Sequence, residues 1–419
     1  MSFLVKRFER HAFWIILTAS TVVRWGQILA SRPRPGRELN ELEQVAQSLA
    51  LLGSFGNPYL HPSGPTAHVA PGVPLLLGMI YAIFGIGWQG ELVKRFLAAL
   101  VCSIQYALLP RVAVALRLPR LTGAIAGLLA ALIPYKGFIE TTDSPWEQPY
   151  VALALVLLFL HTVKAWQQPP PDARDSSVPS RDRKGAVLRG CLWGLATLIS
   201  PMLGLVFAAV VLYELLALSR RAGLLAMLLA FSAIQAPWIV RNWIQLQGLV
   251  LSRSNFGIEF RLSNAPESFA LMEDNVSHGL LDRYHPAHSE AEWQRVRDMG
   301  EVAYNRDEMR LAEQEIRRDP GNFLRLTIER VWRFWLDPSR RLKSTLATTF
   351  VTLLGLAGLW MLPRGAGVKL VWLILLSYPL VYYLVQVDRR YRYPVEWIFI
   401  PPAIHAVATL YRRCFDRSR

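Results

Sequence analysis

Ten apolar runs of 11 to 21 residues set the main constraint on this 419-residue chain. A helix needs about 20 apolar residues to cross the hydrocarbon of a bilayer, and a helix satisfies its own backbone hydrogen bonds there. The runs therefore predict an all-α polytopic membrane protein with about ten crossings, the shorter runs being completed by flanking residues. The runs are His11–Ala30, Phe96–Leu116, Leu121–Pro134, Tyr150–Val163, Leu188–Leu198, Pro201–Leu218, Leu224–Ile239, Leu346–Leu362, Val368–Leu384 and Trp397–Leu410.

Basic residues are grouped at the ends of these runs, and the chain has a formal net charge of +15. A basic protein can bind nucleic acid, but we find no nucleic-acid-binding motif in this sequence. Placing every basic group on the cytoplasmic side satisfies the positive-inside rule and predicts that both termini are cytoplasmic. The groups are Lys6, Arg7 and Arg10; Arg117 and Arg120; Lys164, Arg174, Arg181, Arg183, Lys184 and Arg189; Arg220 and Arg221; and Arg412, Arg413, Arg417 and Arg419.

Residues 1–419 are thus expected to form one membrane domain with two long external segments, 31–94 and 241–343. In the first, Val73–Gly85 is apolar but only 13 residues long. A crossing here would also move the basic loops outside, so we expect a juxtamembrane or re-entrant helix at the interface. In the second, Ser289 is expected to cap a helix that runs to about Arg318. An amphipathic helix should then cover 322–336. The Pro-, Asp- and Arg-rich stretch 167–184 predicts a disordered cytoplasmic loop.

Glu41 follows the first apolar run and opens a short amphipathic helix in which Val45, Leu49 and Leu52 recur at helical spacing. A carboxylate at the mouth of a membrane protein can serve as a general base or a metal ligand. It can equally be a solvated acid at a helix start, where negative charge is favoured. The spacing alone does not choose between these roles.

Further polar residues are candidates for the same site. The turn Gly64-Pro65 would present Thr66 and His68 in a defined direction, unless it is a simple loop corner. Asp143 lies in a short external hairpin and could face the same cavity as Glu41, or be solvated. Arg24 lies inside the first apolar run, where a charge needs a partner or must reach the interface.

Three arginines precede the last apolar run on the external side, against the positive-inside trend: Arg389, Arg390 and Arg392. Such a group needs an anionic partner, and guanidinium matches phosphate oxygens in a forked geometry. Lipid headgroups are the alternative partner. The segment 253–264 mixes arginines, amides and one acid around a glycine, so it suits sugar hydroxyls or phosphate, or is an ordinary polar loop.

Taken in order, these segments resemble the C-type glycosyltransferases (GT-C superfamily), and within it bacterial relatives of protein O-mannosyltransferases and aminoarabinose transferases. The sequence departs from the family at Gln44 and Gln47, where members often carry arginine, and at His68, where they usually carry an aromatic residue. The matching elements are Glu41, VAQSLA at 45–50, PY at 58–59, GPTA at 64–67, Pro71, APWIVRN at 236–242, RSNFGIE at 253–259, DP at 319–320, FW at 334–335, YY at 382–383 and RYR at 390–392.

The resemblance implies a GT-C fold and an enzyme of the bacterial inner (plasma) membrane that acts on its extracytoplasmic side. It would move a sugar from a polyprenyl-phosphate carrier to a hydroxyl of a glycan, lipid or protein. Glu41 would be the base of a single inverting displacement. The leaving phosphate would be stabilised by Arg389, Arg390, Arg392 and Arg253. Substrate contacts would come from Asp143, Thr66, His68, Asn255, Glu259, Tyr391 and Arg24.

Some relatives use a divalent cation, and here Asp143 and His68 are the possible ligands for Mg²⁺ or Mn²⁺. The alternative function is a lipid-linked-sugar flippase or transporter without transfer chemistry. Such proteins favour inverted repeats and paired broken helices, and we see neither in this sequence.

Overall fold

The computed structural model describes residues 3–30, 39–132, 146–167, 178–217, 221–336 and 342–416, and their regular structure is helical. Two isolated bridges, Gly56 with Pro65 and Leu271 with Val387, are the extended pairings within these ranges. The helices are α1 Phe3–Ala30, α2 Glu41–Leu52, α3 Gly72–Phe84, α4 Trp88–Ala107, α5 Leu109–Ala115, α6 Arg120–Leu132, α7 Gln148–Gln167, α8 Val178–Ile199, α9 Met202–Ala217, α10 Arg221–Leu246, α11 Phe256–Asn264, α12 Met272–Ser277, α13 Leu280–Tyr284, α14 Glu290–Met299, α15 Glu301–Arg318, α16 Pro320–Leu336, α17 Leu342–Trp360, α18 Ala366–Ser377, α19 Tyr393–Glu396 and α20 Ile400–Asp416, with 3₁₀ turns at Val381–Tyr383 and Arg389–Tyr391.

Five helical stretches are long and apolar enough to cross a membrane, so the chain is a multi-pass membrane protein as predicted. Four shorter apolar helices accompany them, and the total of about ten crossings stays a prediction. The five are Arg7–Ala30, Trp88–Ala115, Gln148–Gln167, Gly223–Leu246 and Ala366–Tyr383; the four are Gly72–Phe84, Arg120–Leu132, Met202–Ala217 and Thr345–Trp360.

The apolar helices pack as neighbours in pairs: α1 against α4 and α6, α8 against α10, and α17 against α20. The α8–α10 contact depends on Gly190, where an added Cβ would lie 2.1 Å from the carbonyl oxygen of Met227. Small residues let helix backbones approach closely, and close packing drives helix association inside a bilayer, where burial from water does not.

A capping box and a buried ion pair fix the start of α2. The side chain of Asn40 accepts from the backbone N–H of Glu43 at 3.0 Å, and the Glu43 carboxylate accepts from the N–H of Asn40 at 3.2 Å. The same carboxylate accepts from Lys94 of α4, and both side chains are fully buried. Since Glu43 does the capping, the carboxylate of Glu41 is left for other contacts.

The second external segment differs from the sequence prediction at one point. Ser289 caps a helix as expected, accepting from the N–H of Glu292 at 3.4 Å. That helix does not run through to Arg318 but ends at Gly300, whose φ of 80° is incompatible with a continuous helix, and α15 begins at the next residue. The amphipathic helix α16 forms close to the predicted bounds.

The predicted loop 167–184 is also shorter than expected. α8 begins at Val178, ten residues before the apolar run that marked it, while 168–177 lie outside the described residues. Hydrophobic periodicity marks only the apolar part of a helix, and arginine and lysine are good helix formers that extend it. The stretch 73–85 is helical over Gly72–Phe84, while its juxtamembrane position stays a prediction.

We predict that Gly257→Ala loosens the contact between α11 and α15. A Cβ at Gly257 would lie 2.0 Å from the carbonyl oxygen of Asn305, and relieving such an overlap costs about 1–3 kcal/mol. The thermal unfolding midpoint in detergent should fall. Gly26→Ala in α1 is the matched control, because nothing lies within 4 Å of its added Cβ; an equal shift in both variants would contradict the packing argument.

Candidate active site

A cavity of about 880 Å³ lies where the two long polar segments, 31–94 and 241–343, meet residues 381–391. Its size suits a small ligand or the head of a larger one. Its walls come from the start of α2, the loop before α3, the start of α7, the α8–α9 connection, residues 249–309 and residues 381–391. The polar residues on these walls are Asn40, Glu41, His68, Glu147, Gln148, Ser200, Ser252, Arg253, Ser254, Asn255, Glu259, His285, His288, Asn305, Arg306, Tyr382, Gln386, Arg390 and Tyr391.

One end of the cavity is formed by Glu41, His68 and His285. Each offers a ligand atom, and these atoms lie within 4.8 Å of one another. The Oε1 atom of Glu41 is 3.8 Å from Nε2 of His285. The cluster thus joins the first helix turn after α1 to a residue 244 positions later in the chain.

Three contacts hold His68 in place. Its Nδ1 pairs with the hydroxyl of Tyr59 at 3.1 Å, and its backbone N–H donates to Thr66 Oγ1 at 2.9 Å. Its ring also meets that of His285 edge to face. Burial, together with the nearby His285 and Arg253, holds the pKa of His68 well below its usual range. The ring is therefore neutral near pH 7, and its Nε2 side is left for the cluster.

The proton on His285 has a defined position. The backbone N–H of Ala287 donates to Nδ1 of His285 at 3.1 Å, so Nδ1 is an acceptor. A neutral imidazole then carries its proton on Nε2, the atom that faces Glu41. As it stands, His285 presents a donor to the Glu41 carboxylate.

The cluster also fits a metal ion of a particular kind. Two imidazoles and a carboxylate suit a cation such as Zn²⁺, whereas Mg²⁺ and Mn²⁺ prefer oxygen ligands. To bind the ion, His285 would have to lose the hydrogen bond that its Nδ1 accepts from the N–H of Ala287. That hydrogen bond contributes about 1 kcal/mol, whereas zinc binding in small proteins contributes about 10 kcal/mol. The free energy of zinc binding would therefore exceed the loss of the hydrogen bond. Asp143, the other predicted ligand, lies outside the described residues.

Arg390 is held by the walls of the cavity. Its guanidinium lies 4.3 Å from the ring centre of Trp146 and 5.3 Å from that of Tyr391. Burial opposes its charge, but Tyr391, Asp388 and, more weakly, Glu41 together raise the pKa of Arg390. Within the described ranges none of its N–H groups donates to a carboxylate, since its closest acid, Asp388, is 3.8 Å away. A ligand can take up that donor capacity.

A short backbone pairing places Arg390 in the wall. Val387 donates to the carbonyl of Ala270 at 2.8 Å and accepts from the N–H of Met272 at 3.0 Å. The guanidinium then reaches Met272 Sδ at 3.6 Å. The second external segment therefore determines where the arginine before the last apolar helix points.

Arg253 and Arg306 add positive charge to the same cavity. Arg253 donates from Nε to the carbonyl of His68 at 3.1 Å and from Nη1 to Glu147 Oε2 at 3.4 Å. Glu147 also accepts from Ser200 Oγ at 3.0 Å. Arg306 is exposed at the wall, and no acid within the described residues pairs with it. Three guanidinium groups thus share one cavity with Glu41.

The other predicted residues divide into two groups. Asn255, Glu259 and Tyr391 line the cavity, and Glu259 accepts from Gln386 Nε2 at 3.4 Å. Thr66 is fully buried behind the wall, bonded to Glu301, and does not line it. The hydroxyl of Thr66 donates to Glu301 and accepts from the N–H of His68, so it is held away from the cavity.

Three predicted arginines are placed elsewhere. Arg392 is 2% exposed and donates to Thr352 Oγ1 at 2.6 Å and to the carbonyl of Trp335, so it joins helices behind the cavity. Arg24 is buried against Ser20 Oγ, at 3.0 Å, and the ring of Tyr106, at 5.0 Å. Arg389 is half-buried and does not line the cavity.

Sequence reasoning missed His285, Arg306 and Glu147. A single histidine or arginine in a polar segment has no spacing that relates it to Glu41, because the relation exists only after folding. Glu147 was visible in the acidic hairpin that held Asp143, but nothing in that hairpin distinguished it.

No protein-family model matches the chain, and no curated protein matches it. Solved structures do match: the oligosaccharyltransferase of Archaeoglobus fulgidus superposes in its apo form with a TM-score of 0.58 and 16% identity, over 100% of this chain and 53% of that one. Its complex with an inhibitory peptide and a dolichol-phosphate gives 0.57 and 14%, over 99% and 52%. Its complex with Zn and sulfate gives 0.55 and 14%, over 97% and 50%.

The chain spans about half the length of the oligosaccharyltransferase it matches. At this level of identity the likeness concerns the fold, and it covers nearly every residue of this chain. The protein therefore shares the fold of that oligosaccharyltransferase, and the all-helical membrane architecture that its sequence predicted is confirmed.

Proposed function

We propose that the protein is an integral-membrane glycosyltransferase that moves a sugar from a polyprenyl-phosphate carrier to an acceptor hydroxyl. The observation that carries this proposal is that Glu41 and Arg390 line one cavity although they come from opposite ends of the chain. A base and a phosphate-binding cation must meet at one substrate for such a transfer. The fold adds support, since the oligosaccharyltransferase with the same fold was solved with a dolichol-phosphate.

Glu41 acts as the general base. It takes the proton from the acceptor hydroxyl while that oxygen attacks the anomeric carbon, so the configuration inverts. The Nε2 atom of His285 faces Oε1 at 3.8 Å, which is longer than a hydrogen bond, so the carboxylate can accept the proton of the acceptor. A positioned base contributes about 10²–10⁴-fold to the rate.

Arg390, Arg253 and Arg306 stabilise the leaving phosphate. Negative charge grows on the phosphate oxygens as the glycosidic bond breaks, and donors fixed beforehand stabilise that charge best. Arg390 is fixed by stacking on Trp146, and Arg253 by its bonds to His68 and Glu147. Apolar wall residues, among them Leu205, Leu251 and Val381, suit the first units of a prenyl chain.

A divalent cation at Glu41, His68 and His285 would supply positive charge beside the phosphate when bound. The oligosaccharyltransferase of the same fold was solved with Zn and sulfate, so a bound cation is compatible with this fold. The cluster of Glu41, His68 and His285 is therefore compatible with a general base or with a metal site. The metal-removal experiment below distinguishes the two.

We place the cavity on the extracytoplasmic side of a bacterial inner membrane. The basic groups at the helix ends favour cytoplasmic termini, which puts both long polar segments on the other side. The cavity lies between these segments. A flippase for the same lipid would also need the arginines, but it would not consume the donor, so a labelled polyprenyl-phosphate sugar in nanodiscs distinguishes the two functions.

Glu41→Gln should lower transfer by about 10²–10⁴-fold, because the amide cannot accept the proton. Binding of polyprenyl phosphate should persist, since the arginines are untouched. The measurement is consumption of labelled donor. Glu313→Gln is the control, an exposed acid of α15 paired with Arg317. Near-normal turnover of the Glu41 variant would rule out the base assignment.

Arg390→Gln should weaken binding of polyprenyl phosphate and slow transfer by about 10²–10³-fold, the loss typical of removing one electrostatic donor. Titration of nanodiscs with the lipid, followed through the fluorescence of Trp146 and the other tryptophans, measures the affinity. Arg318→Gln, an exposed arginine of the same helix as Glu313, should change nothing. Equal affinity in the two variants would contradict a phosphate at Arg390.

We expect chelator-treated protein to bind about one Zn²⁺ with the three-residue cluster as its site. Competition with a fluorescent zinc indicator measures the affinity. His285→Ala and His68→Ala should each lower it at least tenfold, while His278→Ala, outside the cluster, should not. Full transfer activity after complete metal removal would assign the cluster to the base rather than to a cation.

A further inference from the structure

We propose that Glu301 is a positioning residue that sets His68 and Arg253 relative to each other in the cavity. The assignment deepens the proposed function and rests on it for its effect on transfer. Glu301 itself does not line the cavity. It acts through the backbone on which the two cavity residues are carried.

Glu301 gathers three donors from two segments distant in sequence. Its Oε1 accepts from the N–H of Ala67 at 2.8 Å and from Ser254 Oγ at 2.6 Å. Its Oε2 accepts from the hydroxyl of Thr66. Thr66 and Ala67 directly precede His68, and Ser254 directly follows Arg253. One carboxylate therefore binds Ala67, which precedes His68, and Ser254, which follows Arg253.

The bonds between the two segments extend this arrangement. Ser254 N–H donates to the carbonyl of Ala67 at 2.9 Å, and Arg253 Nε donates to the carbonyl of His68 at 3.1 Å. The hydroxyl of Thr66 also accepts from the N–H of His68 at 2.9 Å. If Glu301 is lost, the N–H of Ala67 and the hydroxyls of Thr66 and Ser254 lose their acceptor at once. The turn that presents His68 is then no longer held against the segment that carries Arg253.

The carboxylate of Glu301 is buried. Glu301 is 8% exposed, and a buried carboxylate is costly unless its hydrogen bonds are made. Arg241 lies near it and holds the same turn, donating to the carbonyl of Thr66 and to that of Phe55, each at 2.6 Å. Glu301 and Arg241 thus both bind the turn that carries His68.

Glu308 provides a matched comparison on the same helix. It is 1% exposed and accepts from Arg295 at 2.8 Å, away from the cavity. Glu301→Ala and Glu308→Ala both remove a buried carboxylate of α15, so both should lower the thermal midpoint. A residue that only stabilises the fold would do no more than that.

The test is amide hydrogen exchange in nanodiscs, measured below both unfolding midpoints. Glu301→Ala should speed exchange at least tenfold in peptides that cover 64–69 and 252–256, and Glu308→Ala should leave those peptides at the wild-type rate. Glu301→Gln should restore most of the protection, because its amide can accept from Ala67 and Ser254 and donate to Thr66. Unchanged exchange in Glu301→Ala would overturn the proposal.

Transfer assays on the same samples give the second readout. Glu301→Ala should lower kcat about 10- to 100-fold, the loss expected when a group is misplaced by about 1 Å, with Glu308→Ala near wild type. Adding Thr66→Ala and Ser254→Ala to Glu301→Ala should cost little more, since the three act as one unit. Equal kcat losses in the Glu301 and Glu308 variants would refute positioning. A wild-type protein that consumes no donor would defeat the proposed function, whereas exchange would still decide the role of Glu301.

Discussion

Buried carboxylates join segments that are distant in the chain, and the cavity lies among the segments that they join. Glu43 caps α2 and pairs with Lys94, which ties the first external segment to α4. Glu301 ties the turn at 64–68 to the segment at 253–254. A buried acid is unfavourable unless its partners are in place, so each of these contacts forces a particular approach of two distant segments. The cavity is the space that remains between segments held in this way.

The charges in that cavity are separated by role. Glu41, His68 and His285 form an end with proton acceptors and one defined donor, whereas Arg390, Arg253 and Arg306 carry cationic edges. Aromatic rings hold Arg390, and its pairing with Asp388 at 3.8 Å is too long for a hydrogen bond, so its N–H groups can still donate to a ligand. Glu41 and these guanidinium groups therefore face one space, which is the arrangement on which the proposed transfer depends.

Much of the fold followed from patterns in the sequence. Apolar runs marked the membrane helices, and Glu41, with the spacing of Val45, Leu49 and Leu52, marked α2, because both signals are local and periodic. The break at Gly300 was missed, since glycine inside a helical pattern is often tolerated and only its positive φ makes it a stop. Charged residues before Leu188 hid the true start of α8 for a similar reason.

By itself, the sequence determined the all-helical membrane architecture and the two long polar segments, because hydrophobicity and helix signals act over short distances. The role of Glu41 was implied by the family resemblance and stays a prediction. Only the tertiary structure decided which of the arginines before the last apolar helix lines the cavity. Arg390 and Arg392 are two residues apart, yet one lies on Trp146 in the wall and the other is buried among helices. Neighbouring side chains on a tight turn point in different directions, and partners such as His285 and Glu301 come from segments that only folding brings together.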